Sequence, residues 1–222
     1  MKIPFTKMNG LGNDFVIIDN NLKSISLSKK LIKKMCSRNY GIGCDQLLLI
    51  NSYSKEDVDL TIFNKDGTEV GACGNGVRCV ASLIMEKSNM DQVNIKTISD
   101  KLKCWKTNNL LSVNMGNPKF KWYQIPLSKN INLDDFFLEG YKIHCVSFGN
   151  PHAVIFCKNK TDLENMDIKQ IGSALEKNSI FKEGANIEFA TILDDGQIRM
   201  RVWERGVGVT LACGSGACAT LV

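Results

Sequence analysis

The period of the hydrophobic pattern changes several times along the chain, and the changes recur. Residues 58–63 (Val-Asp-Leu-Thr-Ile-Phe) and 198–203 (Ile-Arg-Met-Arg-Val-Trp) place apolar side chains at every second position, the period of a half-buried strand. Apolar runs begin at Gln46 (QLLLI) and Asn186 (NIEFATI) and read as further strands. Between residues 28 and 37 the spacing becomes helical: Leu31, Ile32 and Met35 follow a Ser28 cap, with Gly41 beyond the end. Residues 168–178 repeat that pattern with Ile168, Ile171 and Leu175 on one face. From Val93 to Met115 three strand-like segments (VNIKTI, LKCWKT, LLSVNM) follow one another without a helix. Consecutive strands with few helices predict an α+β fold with largely antiparallel sheet, not alternating βαβ units.

The recurrence has a fixed offset. Ala72-Cys73-Gly74-Asn75-Gly76 and Ala212-Cys213-Gly214-Ser215-Gly216 lie 140 positions apart, as do the alternating strands, their polar ends Asn64 and Glu204, and the amides Gln46 and Asn186. Gly12-Asn13 and Gly149-Asn150 lie 137 apart. The order Gly-Asn, helix, amide, strand, polar residue, Cys-Gly-x-Gly thus occurs twice. It predicts two pseudo-symmetric lobes, 1–116 and 117–222, joined at the turn signal Gly116-Asn117-Pro118, each with mixed, largely antiparallel sheet.

Composition narrows the partners. With 222 residues, 44% hydrophobic and 23% charged, the chain is that of a globular protein. Its net charge of +5 comes from scattered lysines, which argues against nucleic acid. No apolar run reaches the roughly 18 residues of a membrane span. The opening MKIPFTKMNG has no secretory h-region, so the expected compartment is the cytoplasm. Nine cysteines, an odd number with no C-x-x-C spacing, argue against a disulfide framework, and with two histidines they predict no metal site.

The repeated motif carries the chemistry. After Cys73, Val77, Val80 and Ile84 have helical spacing; after Cys213, Ala217, Thr220 and Leu221 begin the same pattern. Each cysteine is expected at a helix N-terminus, where free N–H groups and the helix dipole would lower the thiol pKa toward neutrality and could hold a carboxylate. Cys79 and Cys218, farther along the helices, are expected in the core. Two thiols facing each other across a cleft between lobes could remove a proton from one face of a carbon and return one to the other. That is racemisation or epimerisation without metal or pyridoxal phosphate. A single cysteine before a helix is more often a cap or a packing residue, and the duplication is what favours the catalytic reading.

At these residues the sequence resembles the diaminopimelate epimerases. The resemblance rests on Phe5-Thr6-Lys7-Met8, Gly10-Leu11-Gly12-Asn13-Asp14-Phe15, Gly41-Ile42-Gly43-Cys44-Asp45-Gln46, Phe63-Asn64-Lys65-Asp66-Gly67, Gly149-Asn150-Pro151-His152 and Trp203-Glu204-Arg205-Gly206, besides both cysteine motifs. It implies two lobes whose sheets wrap a central helix, an active site in the cleft between them, no cofactor, and interconversion of LL- and meso-2,6-diaminopimelate, the step before lysine and a peptidoglycan building block. Cys73 and Cys213 would be the acid/bases, assisted by His152 and Glu204. Backbone N–H groups of Gly74, Asn75, Gly214 and Ser215 would hold the reacting carboxylate. Asn13, Gln46, Asn64, Asn150, Asn186 and Glu204 would line the site, and Arg205 would grip the distal carboxylate. Read without the resemblance, the amides could satisfy turns, His152 could be a loop histidine, and Glu204-Arg205 an exposed pair. The partner expected is a small molecule; a homodimer is left open.

Two departures bear on this. The sequence stops nine residues after Cys213, where family members continue, so the second lobe is expected to be truncated, with a helix of barely two turns and exposed apolar surface. Val209 replaces a Glu usual in the family, removing a carboxylate expected near the second thiol. The alternatives are another isomerase of the superfamily, such as a proline racemase, or a truncated, non-catalytic remnant. Facing thiols would also be open to oxidation to a disulfide.

Overall fold

The computed structural model describes residues 2–22, 25–71, 73–108 and 110–222; Ala72, the start of the first Cys-Gly-x-Gly motif, lies outside them. The chain divides into two compact units, Met1–Gly116 and Asn117–Val222.

The N-terminal unit contains β1 (Thr6–Gly10), β2 (Asn13–Asp19), α1 (Lys29–Cys36), β3 (Gln46–Tyr53), β4 (Asp57–Asn64), β5 (Glu69–Val70), α2 (Gly74–Ser88), β6 (Gln92–Lys96), β7 (Lys101–Thr107) and β8 (Leu110–Val113). The sheet runs β1-β2-β3-β4-β6-β7-β8, with β5 also on β4. Only β2–β3 and β4–β6 pair in parallel. Alternation along β2 explains the two layers beside it. Phe15 and Ile17 face α2 with Leu48, Ile62, Val77 and Ile84, while Val16 and Ile18 face α1 with Leu47, Ile32 and Met35. A strand covered on both faces has no polar side, which is why this stretch reads as a continuous apolar run. The sheet curls about α2, which touches β1, β2, β3, β6, β7 and β8.

The C-terminal unit contains β9 (Phe137–Leu138), β10 (Tyr141–Lys142), β11 (His144–Ser147), β12 (Pro151–Phe156), α3 (Lys160–Asn165), α4 (Ile168–Glu176), β13 (Asn186–Ile192), β14 (Ile198–Glu204), β15 (Gly208–Thr210) and α5 (Gly214–Leu221). Its main sheet runs β11-β12-β13-β14-β15, parallel only between β12 and β13. This repeats β1-β2-β3-β4-β5 strand for strand. The registers coincide as well: Phe15 pairs with Gln46 as His152 pairs with Asn186, and Gln46 with Asn64 where Asn186 and Glu204 occupy the same strand ends. One face, with Ala153, Ile155, Ile187 and Phe189, packs on α4 residues Ile168 and Leu175; α5 lies against β12, β13 and β14.

Helix α5 has eight residues, and Leu221 and Val222 are exposed, as is Leu211 ahead of it. Cys79, on α2, is buried in the core, whereas Cys218, on α5, is only half-buried. Among the described residues no helix is long and apolar enough to cross a membrane.

Candidate active site

In each unit the polar residues singled out by sequence collect at one end of the sheet. Strands β2 and β3 begin at Asn13 and Gln46, and β4, running the other way, ends at Asn64. All three side chains therefore share one rim. Gln46 Nε2 donates to Asn64 Oδ1 at 3.0 Å. Helix α2 starts at that rim: Cys73 is its N-cap, with Sγ accepting from the Gly76 N–H at 3.4 Å. The Asn75 amide donates to Asn13 Oδ1 at 2.8 Å and its oxygen accepts from Arg78.

Behind the rim, Arg38 clamps the two strand starts, donating to Asp14 at 2.7 Å and Asp45 at 2.8 Å. Asp14 and Asp45 also join through the Asp14 N–H on Asp45 Oδ2 and the Asp45 N–H on the Asp14 carbonyl, both at 2.9 Å. The guanidinium beside it holds the Asp14 carboxyl below its ordinary pKa.

The C-terminal unit repeats this arrangement with other side chains. Asn150 precedes β12, Asn186 begins β13, Glu204 ends β14, and Cys213 caps α5 with Sγ accepting from Gly216 N–H at 3.3 Å. Asn150 donates to Ser215 Oγ at 3.3 Å, and that hydroxyl lies 3.6 Å from Cys213 Sγ. Asn186 donates to the Pro151 carbonyl at 3.1 Å and accepts the Arg205 N–H at 2.9 Å, so it fixes two backbone segments at once. Glu204 accepts from Thr210 Oγ1 at 2.5 Å. The Arg205 guanidinium lies on the Glu183 carbonyl at 3.1 Å and near its carboxylate at 3.6 Å.

His152 is not a loop histidine. It is fully buried on β12, with Nδ1 2.7 Å from Glu188 Oε1 and Nε2 3.0 Å from Asn150 Oδ1. Glu188, also fully buried, is the residue that sequence reasoning missed. In the sequence it is a lone carboxylate in the apolar run NIEFATI, 140 positions after Leu48, a pattern that by itself suggests an outward-facing position.

The expectation of a lowered thiol pKa fails for Cys213. Burial pushes this thiol well above its ordinary value of about 9, and the charges of Glu204 and Glu188 push in the same direction; the Ser215 hydroxyl and the Gly216 N–H oppose them. At 8% exposure, desolvation outweighs the helix N-terminus. Val209 does not leave this thiol without carboxylate neighbours, since Glu204 and Glu188 supply two; the Val209 side chain itself is exposed on β15. Among the described residues no group of three or more His, Cys, Asp or Glu side chains could hold a metal ion.

Each unit thus presents a thiol that caps a helix N-terminus beside a polar sheet rim, of amides in the first unit and of Asn150, Asn186 and Glu204 in the second. The sequence model of the diaminopimelate epimerase family matches residues 5–121 and 144–222. The chain belongs to the diaminopimelate epimerase family. It is 41% identical over 231 residues to the diaminopimelate epimerase of Pelagibacter ubique, covering 100% of this chain and 83% of that protein. The Gluconobacter oxydans diaminopimelate epimerase is 42% identical over 224 residues, covering 100% and 82%. A hydroxyproline epimerase from Agrobacterium vitis, solved with trans-4-hydroxy-L-proline, superposes with a TM-score of 0.64 at 12% identity over 98% of this chain and 75% of its own. That likeness is one of fold. Family membership makes the chain an isomerase.

Proposed function

We propose that the protein interconverts LL- and meso-2,6-diaminopimelate, the step ahead of lysine, by a two-base mechanism using Cys73 and Cys213. The observation that carries this reading is the repeated geometry in a chain of this family: each cysteine caps a helix, each Sγ accepts the N–H three residues on, and each lies beside a polar rim.

In the scheme, one cysteine as thiolate removes the Cα proton of the substrate. The electron pair left behind delocalises into the α-carboxylate, whose oxygens are held by the N–H groups of Gly74, Asn75, Gly214 and Ser215. The other cysteine as thiol delivers its proton to the opposite face of the carbon, inverting it. The enzyme ends with the two protonation states exchanged. Asn13, Gln46, Asn64, Asn150 and Asn186 fix the substrate's amino and carboxylate groups, Arg205 binds the distal carboxylate, and His152 and Glu204 assist the thiols. The raised pKa of Cys213 suits a thiol that must hold a proton until a carbanion forms beside it.

The test is conversion of LL-diaminopimelate with reductant present, followed by NMR of the Cα signals. Wild type should produce the meso isomer, Cys73→Ala and Cys213→Ala should each abolish it, and proline should not be racemised. A cooperatively folded wild-type chain that leaves diaminopimelate unchanged, or either alanine variant turning over at the wild-type rate, would overturn the proposal.

A further inference from the structure

The two units place different residues at equivalent positions directly beneath their capping helices. In the N-terminal unit Phe15 and Leu48 sit there, and a Cβ added to Gly76 would meet the Leu48 methyls at 3.2 Å and Phe15 at 3.3 Å. In the C-terminal unit the offsets of 137 and 140 put His152 and Glu188 in those places, and a Cβ on Gly216 would come within 2.6 Å of Glu188 Oε1. The fold is satisfied by an apolar pair at these positions, and apolar residues replacing a buried ion pair are often neutral or stabilising. Stability alone therefore does not call for His152 and Glu188.

The buried pair is the start of a chain of polar contacts. Glu188 Oε1 meets His152 Nδ1 at 2.7 Å, His152 Nε2 meets Asn150 Oδ1 at 3.0 Å, Asn150 Nδ2 donates to Ser215 Oγ at 3.3 Å, and Ser215 Oγ lies 3.6 Å from Cys213 Sγ. We propose that Glu188 is a positioning residue for Cys213: by sharing a proton with Nδ1 of His152 it lets Nε2 keep its own hydrogen and donate to Asn150, and so turns the Ser215 O–H toward the thiol. This rests on the reading of Cys213 as an acid/base.

The directions follow from donor and acceptor counting. The Asn150 Nδ2–H on Ser215 leaves Oδ1 facing His152, so Nε2 must carry a hydrogen. Nδ1 and Glu188 Oε1 then share a second proton, which compensates the carboxylate. That suits its environment, because both residues are fully buried and Glu188 Oε2 has no partner among the described residues; an uncompensated carboxylate there would be strongly disfavoured. Ser215, having accepted from Asn150, has its own hydrogen free for Cys213. A thiolate formed during turnover would receive that hydrogen bond. The next titratable groups toward the thiol are Cys213 itself and Glu204 on β14.

Because the chain has only two histidines, imidazole-¹⁵N spectra resolve His152 from the exposed His144. In wild type at pH 8, His152 should carry hydrogen on Nε2 and show a strongly hydrogen-bonded proton at Nδ1, while His144 is an ordinary neutral imidazole. Glu188→Gln should keep Nε2–H, since its amide N–H can donate to Nδ1, and should retain most of kcat. Glu188→Met should lose the Nδ1 signal and lower kcat by about tenfold or more with KM little changed. A bare Nε2 in wild type would overturn the proposal, as would a folded Glu188→Met variant with wild-type kcat. Should the Met variant fail to fold, the spectra of wild type and Glu188→Gln decide it. The spectra need no substrate, so this proposal can fail while the two-thiol reading stands.

Discussion

The two units solve one construction problem with opposite placements of charge. Both must fasten the starts of two parallel strands and the N-terminus of a capping helix. The N-terminal unit puts its charges outside, with Arg38 across Asp14 and Asp45, and an apolar Phe15–Leu48 pair beneath α2. The C-terminal unit has Pro151 and Ala185, both buried, at the positions of the two aspartates, and places its charges inside as His152 and Glu188. A shared fold therefore does not give the two thiols a shared environment. Cys213 is buried beside carboxylates, while Cys73 is half-buried above hydrocarbon.

Making the second unit resemble the first would break the comparison most severely. The double variant His152→Phe, Glu188→Leu should fold at least as stably as wild type in denaturant titration, yet lose activity by about a hundredfold or more, since the relay to Cys213 is gone. Glu188→Leu alone, which leaves His152 buried without its partner, should cost about 3–5 kcal/mol. A double variant less stable than the single one would mean that the polar pair is needed for folding.

The repeat itself was legible in sequence because it rests on local signals: period-two strands, Ser28 as a helix cap, and glycines after each cysteine. Asn13, Gln46, Asn64 and their counterparts were legible because strand ends in a repeated topology fall on one rim. Glu188 and the burial of His152 were not, because a histidine after Gly-Asn-Pro looks like a loop and a lone Glu in an apolar run looks like an outward-facing position. Only the structure shows that β13 is covered on both faces. The thiol pKa was misjudged for a related reason: a helix N-terminus can be read from sequence, but the desolvation opposing it depends on tertiary packing.

The glycines offer a smaller contrast. Gly216→Ala places a methyl against the Glu188 carboxylate, fixed by His152, and should destabilise by about 2–3 kcal/mol, whereas Gly76→Ala meets adaptable Leu48 methyls and should cost about 1–2 kcal/mol. Equal losses in thermal denaturation would argue that the carboxylate is free to move. The pH dependence sharpens the same point. Only the thiolate is alkylated, so peptide-resolved iodoacetamide labelling of Cys213 should rise at a pH above that of an ordinary thiol. The folded chain holds this proton more tightly than the unfolded chain. Its stabilising contribution is therefore present below about pH 9 and lost as pH rises through the raised value. Labelling that rises at neutral pH would contradict the burial argument. The smallest effect belongs to the exposed clamp: Arg38→Ala should lower stability by about 0.5–1 kcal/mol, less at high salt.

The most direct test of two thiols working from opposite faces of one carbon is the fate of the proton. LL-diaminopimelate converted in deuterated water should give meso product carrying deuterium at the inverted centre from the first turnovers, while the remaining LL isomer stays unlabelled. Meso product that keeps the original hydrogen would show one base acting on both faces, and would contradict the account.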